Sequence, residues 1–189
     1  MTRYQVHTVE SAPEASRPAL EKLSGELGGF LPNLAAAMAT SPALITAFTT
    51  LRTLNQSSAF SAVEREVIAL VTSFGNSCAY CMAAHSTFAA KAGADRSTLE
   101  ALRAGDIELS DARLRSLARF TSRLLTAGGE LPPEEVDRFV AAGFTEEQAL
   151  DVVVTIGMTS IANHASHVMA VPVDTAFANQ TWRAGTPVT

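Results

Sequence analysis

The amino-acid sequence predicts an all-α protein, and three observations support this class. Apolar residues recur at helical spacing, as in the stripe formed by Val63, Val67, Leu70, Val71 and Phe74. Residues typical of helix starts and helix ends punctuate the chain at intervals of about one helix length. Alternating patterns bounded by hairpin turns, which would indicate β-strands, are missing from the sequence. We therefore expect helices from end to end.

In the N-terminal half, prolines, capping residues and glycines mark the helix boundaries. Pro13 and Pro42 suit the first turn of a helix, where the missing N–H has no partner to lose. The segment 61–64, Ser-Ala-Val-Glu, fits a capping box. Gly28-Gly29 ends one helix, and Gly75-Asn76-Ser77 interrupts the chain just before Cys78. The expected helices run from Ser11 to Leu27, from Asn33 to Ala39, from Pro42 to Asn55, from Ser61 to Gly75 and from Cys78 to Gly93.

The C-terminal half follows the same pattern. Gly128-Gly129 and Gly143 are helix stops, and the segment 145–148, Thr-Glu-Glu-Gln, is a second capping box. No linker is visible, so we expect a single helical domain over residues 1–189, with its core motif region at about 41–93. The expected helices run from Ser97 to Arg103, from Ser110 to Ala127, from Pro133 to Ala142 and from Glu146 to Val171.

Composition excludes several function classes. The net charge is −5 and no block of Lys or Arg occurs, which argues against a nucleic-acid partner. The sequence contains no stretch of about eighteen apolar residues, which a membrane-spanning helix would need. The first eleven residues contain no apolar run, so we expect a cytoplasmic protein. Hydrophobic residues make up 47% and charged residues 17%, which suggests that other subunits cover part of the surface, with the helix from Glu146 to Val171 as the best candidate interface.

The most informative motif contains the only two cysteines of the chain, in the run Cys78-Ala79-Tyr80-Cys81-Met82-Ala83-Ala84-His85. On a helix, Cys78, Cys81 and His85 fall within a stripe roughly 60° wide. Two thiols and an imidazole on one face are the components of a redox dithiol with its own base. Near a helix N-terminus the N–H groups favour a thiolate, which can attack the O–O bond of a peroxide. The second thiol can then convert the sulfenic acid to a disulfide.

A carboxylate that reaches His85 would hold its tautomer, and two glutamates are candidates. Glu64 and Glu66 lie on opposite borders of the apolar stripe from Val63 to Phe74, so periodicity does not choose between them. Glu66 is slightly favoured because it shares its border with Ser73 and Ser77. Glu64 already has a role in the predicted capping box.

Glu66 followed by Cys78-x-x-Cys81-x-x-x-His85 resembles the active-site signature of the alkylhydroperoxidase D / carboxymuconolactone decarboxylase superfamily, peroxidase-related branch. The resemblance covers most of the chain. It extends to the runs Phe30-Leu31-Pro32-Asn33, Ser41-Pro42-Ala43-Leu44, Glu66-Val67-Ile68-Ala69-Leu70 and Ile161-Ala162-Asn163-His164.

This resemblance implies an all-helical fold, a trimer or hexamer, and reduction of a hydroperoxide substrate without a cofactor or a metal. The electrons would come from a dithiol reductant, either a protein or a lipoyl carrier. Glu66 and His85 would form the proton relay, Cys81 would be the peroxidatic cysteine and Cys78 the resolving one. A thioredoxin-style interpretation makes Cys78 the more activated thiol instead. The characterised peroxidases have a histidine where this chain has Tyr80, which on a regular helix should point away from the cysteine–histidine stripe.

Other interpretations compete with the dithiol. His164 and His167 could complete a zinc site with the two cysteines, although the interval of 82 residues from Cys81 to His164 is unlike a zinc finger. The cysteines could also be inert core residues. The alternative functions are a non-catalytic or redox-sensing helical oligomer and an enzyme of the lactone-decarboxylase type.

Overall fold

The computed structural model describes residue 2 and residues 4–184, and the predicted all-α class is confirmed, since this part of the chain contains no β-strand. Residues 1, 3 and 185–189 of the domain expected over 1–189 lie outside the described residues. Two 3₁₀ helices, Glu14–Ser16 and Thr175–Gln180, flank the α-helices. The α-helices are α1 (Arg17–Glu26), α2 (Asn33–Met38), α3 (Pro42–Gln56), α4 (Ala62–Gly75), α5 (Ala79–Lys91), α6 (Arg96–Ala104), α7 (Ala112–Thr126), α8 (Pro133–Ala141) and α9 (Glu146–Met169).

Every predicted helix is present, and the differences lie at the ends. The helix expected from Ser11 begins instead with the 3₁₀ turn Glu14–Ser16. The helix expected to end at Val171 ends two residues earlier, because Ala170 adopts a left-handed conformation with a φ of 49°. The C-terminal 3₁₀ helix Thr175–Gln180 was not predicted. It is only six residues long, too short for a helical period to show in the sequence. It packs on α5 and places Phe177 in the core.

Helix α4 lies at the centre of the fold. It contacts α5, α7 and α9, which explains why its apolar residues extend over more than one face. Val67, Ile68 and Leu70 are all buried. Because α4 is held on several sides, side chains on its remaining face are placed rigidly for chemistry.

The turn between α4 and α5 delivers the cysteine motif. Ser77 has a φ of 52°, and the Cys78 N–H donates to the Ser73 carbonyl at 2.9 Å while the Ser77 N–H donates to the Phe74 carbonyl at 2.9 Å. These two bonds form a Schellman motif that ends α4. Cys78 is the N-cap of α5, so the cysteine motif lies at the start of a helix, as predicted, and α5 folds back along α4.

None of the helices in the described part of the chain is long and apolar enough to cross a membrane.

Candidate active site

Helix α5 presents Cys81, His85 and Phe88 to a cavity of about 290 Å³. His85 and Phe88 follow Cys81 by four and seven residues, so the three side chains lie on one face of the helix. Cys78 does not line this cavity, although it is only one turn away. Apolar side chains form most of the wall: Leu23, Leu27, Leu34, Phe48, Met158 and Phe177. The cavity therefore brings a ligand to Cys81 and not to Cys78.

The two cysteines are free thiols, and both are buried, with exposed fractions of 0% for Cys78 and 2% for Cys81. As the N-cap of α5, Cys78 accepts a hydrogen bond from the Cys81 N–H at 3.4 Å. The Cys81 thiol, this N–H and the Ser166 hydroxyl all stabilise a thiolate at Cys78, and the charge of His167 adds to them. Together they lower its pKa to about 6 against the opposing effect of burial. The same hydrogen bond to Cys78 and burial raise the pKa of Cys81 well above its ordinary value.

Helix α9 supplies a polar support behind the cysteine pair. Asn163 is fully buried, and its amide nitrogen donates to the Ser73 hydroxyl at 3.2 Å. Its amide oxygen accepts from Asn76 Nδ2 at 2.9 Å, and its side chain also bonds to Cys81. Sequence analysis assigned no role to Asn163 or Ser166. Their spacing of three residues on a largely apolar helix was the available signal.

Glu66, and not Glu64, reaches His85. Glu66 Oε2 lies 2.7 Å from His85 Nδ1, and both side chains line the cavity. A carboxylate can only accept, so the proton of this hydrogen bond is on Nδ1. Glu64 is held elsewhere, because it completes the capping box with Ser61 and pairs with Arg113 at 2.6 Å. Helical periodicity could not decide between the two glutamates, and the structure shows that Glu66 is the one in contact with His85.

Tyr80, which on a regular helix was expected to point away from the cysteine–histidine stripe, is nevertheless part of the cavity wall. Tyr80 is buried and lines the cavity beside Cys81. Its hydroxyl donates to Asp174 and accepts from the Leu34 N–H at 3.2 Å, while Asp174 also accepts from the Asn33 N–H at 3.0 Å. Burial and Asp174 raise the pKa of Tyr80 above its ordinary value. Helical periodicity could not predict that Tyr80 lines the cavity, because the cavity is closed by α2 and the C-terminal segment, which surround Tyr80.

The two histidines of α9 do not join the cysteines in a metal site. His164 and His167 are exposed, and His167 Nε2 lies 2.9 Å from the Asn76 carbonyl. Across residue 2 and residues 4–184, no group of three or more His, Cys, Asp or Glu side chains is placed to hold a metal ion. The geometry therefore gives no support to the zinc alternative.

Comparisons with known proteins give a family match over part of the chain and relatives of the same fold. Residues 42–123, which contain Glu66, both cysteines and His85, match the model of the Carboxymuconolactone decarboxylase family. An alkylhydroperoxidase AhpD core protein from Ralstonia eutropha JMP134, described as an uncharacterized peroxidase-related protein, superposes with a TM-score of 0.83 at 20% identity, covering 99% of this chain and 98% of that one. No curated protein matches this chain in sequence.

Two further solved structures share the fold. An uncharacterized peroxidase-related protein from Silicibacter sp. TM1040 gives a TM-score of 0.78 at 24% identity, covering 95% of both chains. A cysteine-to-alanine variant of the debrominase Bmp8, in complex with 2,3,4-tribromopyrrole, gives 0.77 at 21% identity, covering 95% of this chain and 96% of that one. The chain therefore has the fold of these AhpD-like proteins, and its residues 42–123 are similar to the Carboxymuconolactone decarboxylase family.

Proposed function

We propose that this protein is a cofactor-independent thiol peroxidase that reduces organic hydroperoxides through a Cys78/Cys81 dithiol–disulfide cycle. One observation carries the proposal. Cys81 and the hydrogen-bonded Glu66–His85 pair line the same apolar cavity, and the Cys78 sulfur is hydrogen-bonded to Cys81 directly behind its wall. The resolving thiol, the nucleophile and His85 then follow one another on successive turns at the start of helix α5, and α4 supplies Glu66.

In the first step, the Cys81 sulfur attacks the terminal oxygen of the hydroperoxide. The O–O bond breaks, Cys81 becomes a sulfenic acid, and the organic fragment leaves as an alcohol. The Cys81 proton goes to His85 Nε2, which returns a proton to the departing oxygen. Glu66 accepts from Nδ1 and stabilises the imidazolium that forms in between.

In the second step, the Cys78 thiolate attacks the sulfenic sulfur. A disulfide forms, and the hydroxide that leaves takes up one proton and becomes water. In total, two thiols and one hydroperoxide yield a disulfide, an alcohol and water. In the reduced protein the pKa of Cys78 is lowered to about 6, chiefly by the hydrogen bond with the Cys81 thiol, so this sulfur is ionised at neutral pH when the peroxide arrives. A dithiol partner, a protein or a lipoyl carrier, then returns both thiols by exchange.

Turnover tests the proposal. Reduced protein, supplied with cumene hydroperoxide and an excess of dithiothreitol, should consume many equivalents of peroxide. Without the reductant it should lose two hydrogens in mass and stop. Cys78→Ser should accumulate sulfenic and sulfinic acid at Cys81, and Cys81→Ser should not react. If the two variants exchange these behaviours, the roles of the cysteines are reversed.

A protein that oxidises once and does not turn over would instead be a redox sensor. That outcome contradicts the proposed enzyme, even if the disulfide forms.

A second candidate activity is reductive debromination, since the likeness to Bmp8 extends over 95% of this chain and the cavity beside the dithiol is apolar. Two thiols and an aryl bromide would yield the arene, hydrogen bromide and a disulfide. Bromide release from 2,3,4-tribromopyrrole by the reduced protein would support this activity. Unchanged substrate after complete peroxide turnover would exclude it for this compound.

A further inference from the structure

The cavity beside Cys81 contains one polar group that the protein leaves unused. Thr159 of α9 lines the cavity, is fully buried, and its Oγ1 makes no hydrogen bond to any described residue. A buried hydroxyl without a partner destabilises the fold, so such atoms are uncommon. It therefore calls for a partner that the folded chain does not contain.

The other buried threonines of the helices show what Thr159 lacks. Thr49, Thr72, Thr121 and Thr155 each donate to the carbonyl four residues earlier, at 2.8 to 3.0 Å. Thr98 bonds to the capping residue Asp95 instead. This backbone bond is the usual solution for a threonine in a helix. Thr159 lacks this backbone bond, and among these threonines it alone lines the cavity.

The remaining polar side chains on the cavity wall already have partners. Glu66 bonds to His85, Tyr80 to Asp174, and Asn55 accepts from Thr155 at 2.6 Å. The guanidinium groups bond as well, Arg52 to Glu26 and Arg65 to the Phe60 carbonyl. Gln56 is exposed and lies at the rim. Among the polar side chains of the cavity wall that the structure describes, the Thr159 hydroxyl is the buried group that makes no hydrogen bond at all.

Thr159 also lies at the right height for the chemistry. It is four residues before Asn163, which bonds to Cys81, so the two side chains are one turn apart on the same face of α9. A group bonded to Thr159 is thus about one helical pitch, roughly 5 Å, from the level at which Asn163 meets Cys81.

Shape and polarity define the ligand. A cavity of about 150 Å³ lined by apolar groups accepts benzene, and this one has about 290 Å³. The wall is mostly aliphatic and aromatic, so the body of the ligand must be apolar and of the size of a substituted aryl or branched alkyl group. A single oxygen on that body can bond to Thr159.

We propose that Thr159 is the substrate-binding hydroxyl of this site, and that it orients an aryl or branched-alkyl hydroperoxide by bonding to its oxygen beside Cys81. The inference rests on the proposed function for the reaction that it serves. Binding itself can be measured without turnover, because the product alcohol has the same apolar body and one oxygen.

The experiment compares Thr159→Val, which keeps the shape and removes the hydroxyl, with Thr159→Ser, which keeps the hydroxyl. Calorimetry with 2-phenyl-2-propanol on the reduced proteins should show binding weakened roughly 2- to 10-fold in Thr159→Val, the range for one hydrogen bond. Thr159→Ser should stay within about twofold of the wild type. The kcat/KM for cumene hydroperoxide should fall in parallel.

Thr121→Val is the matched control, since Thr121 is a buried helical threonine remote from the cavity and donates to Leu117. It should leave alcohol binding unchanged and lower the melting temperature. Thr159→Val should not lower the melting temperature of the free protein, because no hydrogen bond is lost.

Equal alcohol binding by Thr159→Val and wild type overturns the inference, as does equal weakening in Thr121→Val. If the alcohol binds in a Thr159-dependent way and no peroxide is consumed, the binding site stands and the proposed function fails. If peroxide turns over and Thr159→Val behaves as wild type, the function stands and the binding role fails.

Discussion

At the scale of single residues, the two cysteines divide acidity and access between them. Cys78 carries the lowered pKa because the Cys81 thiol, and then the Cys81 N–H at the start of α5, form hydrogen bonds to its sulfur, and Cys81 faces the cavity. The thioredoxin-style interpretation favoured the sulfur that has the lower pKa, and the family resemblance favoured the sulfur that lines the cavity. These statements are compatible, since a resolving thiol that is already ionised reacts at once with a sulfenic acid. The assignment of roles stays a prediction.

Glu66→Gln should keep the fold and lower peroxide reactivity at neutral pH by about 10²–10⁴-fold, the usual contribution of positioned acid–base catalysis. The reason is the hydrogen bond of 2.7 Å to His85, which a neutral amide cannot replace as a charge partner. The measurement is the rate of thiol loss after mixing reduced protein with cumene hydroperoxide, from pH 6 to 9.

The control is Glu64→Gln, which should retain reactivity and lose stability, because the carboxylate pairs with Arg113 in a largely buried position. His85→Gln should resemble Glu66→Gln, and the double variant should be little worse than either one, since the two residues act as a unit. Equal reactivity of Glu66→Gln and wild type across this pH range would remove the relay from the mechanism.

The acidity of Cys78 predicts a titration. Thiolate absorbance at 240 nm in the reduced protein should rise with a midpoint near pH 6, and this step should be absent from Cys78→Ser. Ser166→Ala removes a hydrogen bond to the thiolate, so its midpoint should lie higher. A wild-type midpoint above pH 8 would contradict the assignment.

The same pKa fixes the sign of a stability effect. The folded pKa of Cys78 lies near 6 and its ordinary value is 9.0. Between these values the native state binds fewer protons than the unfolded chain. The free energy of unfolding of the reduced protein should therefore rise from pH 6 to 9 and fall toward pH 6. Denaturant unfolding at both ends of this window should show a smaller rise for Cys78→Ser than for the wild type, because the variant lacks this thiolate.

At the scale of elements, the site depends on how α4 ends. The Phe74 ring packs edge-on against Trp182, with centroids 5.7 Å apart, and lies over the backbone of Gly105 at the end of α6. Phe74 also provides the carbonyl that fixes Ser77 in the turn before Cys78. Close packing around one aromatic ring thus holds the segment that delivers the cysteine motif.

Gly105→Ala should destabilise the protein strongly. Gly105 has a φ of 80°, and a Cβ there would lie 2.2 Å from the Phe74 ring. The left-handed conformation alone costs about 1–2 kcal/mol for alanine, and forcing the ring aside adds about 1–3 kcal/mol. Gly129→Ala is the control, because its φ is 89° and no other group lies within 4 Å of the added Cβ. Chemical denaturation should separate the two, and equal losses would show that Phe74 moves freely.

At the scale of the whole molecule, α9 serves two surfaces. One face carries Thr159, Asn163 and Ser166 toward the cavity and the cysteines, while Leu150 and Val153 on another face are 71% and 53% exposed. Large apolar residues with this exposure on adjacent turns are typical of a contact surface. The expected trimer or hexamer stays a prediction, and this face of α9 is our proposed contact between subunits.

Light scattering at micromolar concentration should give three or six times the mass of one chain. Leu150→Asp combined with Val153→Asp should reduce the assembly, since charges would be buried without partners. Val140→Asp on α8, at a position that is 37% exposed, serves as the control for an added surface charge. A wild-type mass equal to one chain would refute the interface.

The helical class and nearly every helix could be predicted from local signals, because caps, glycines and helical periods act within a few residues, as the boxes at Ser61 and Thr145 show. The motif with Cys78, Cys81 and His85 was visible for the same reason, since its members share one helix. The choice of Glu66 over Glu64 and the burial of Tyr80 depend on helices that meet only in the folded chain. Thr159 could not be distinguished from other threonines in the sequence, because a hydroxyl without a partner is a property of its surroundings. Helix boundaries and motifs within one helix depend on neighbouring residues and can be predicted from the sequence, whereas contacts between distant residues form only when the helices pack.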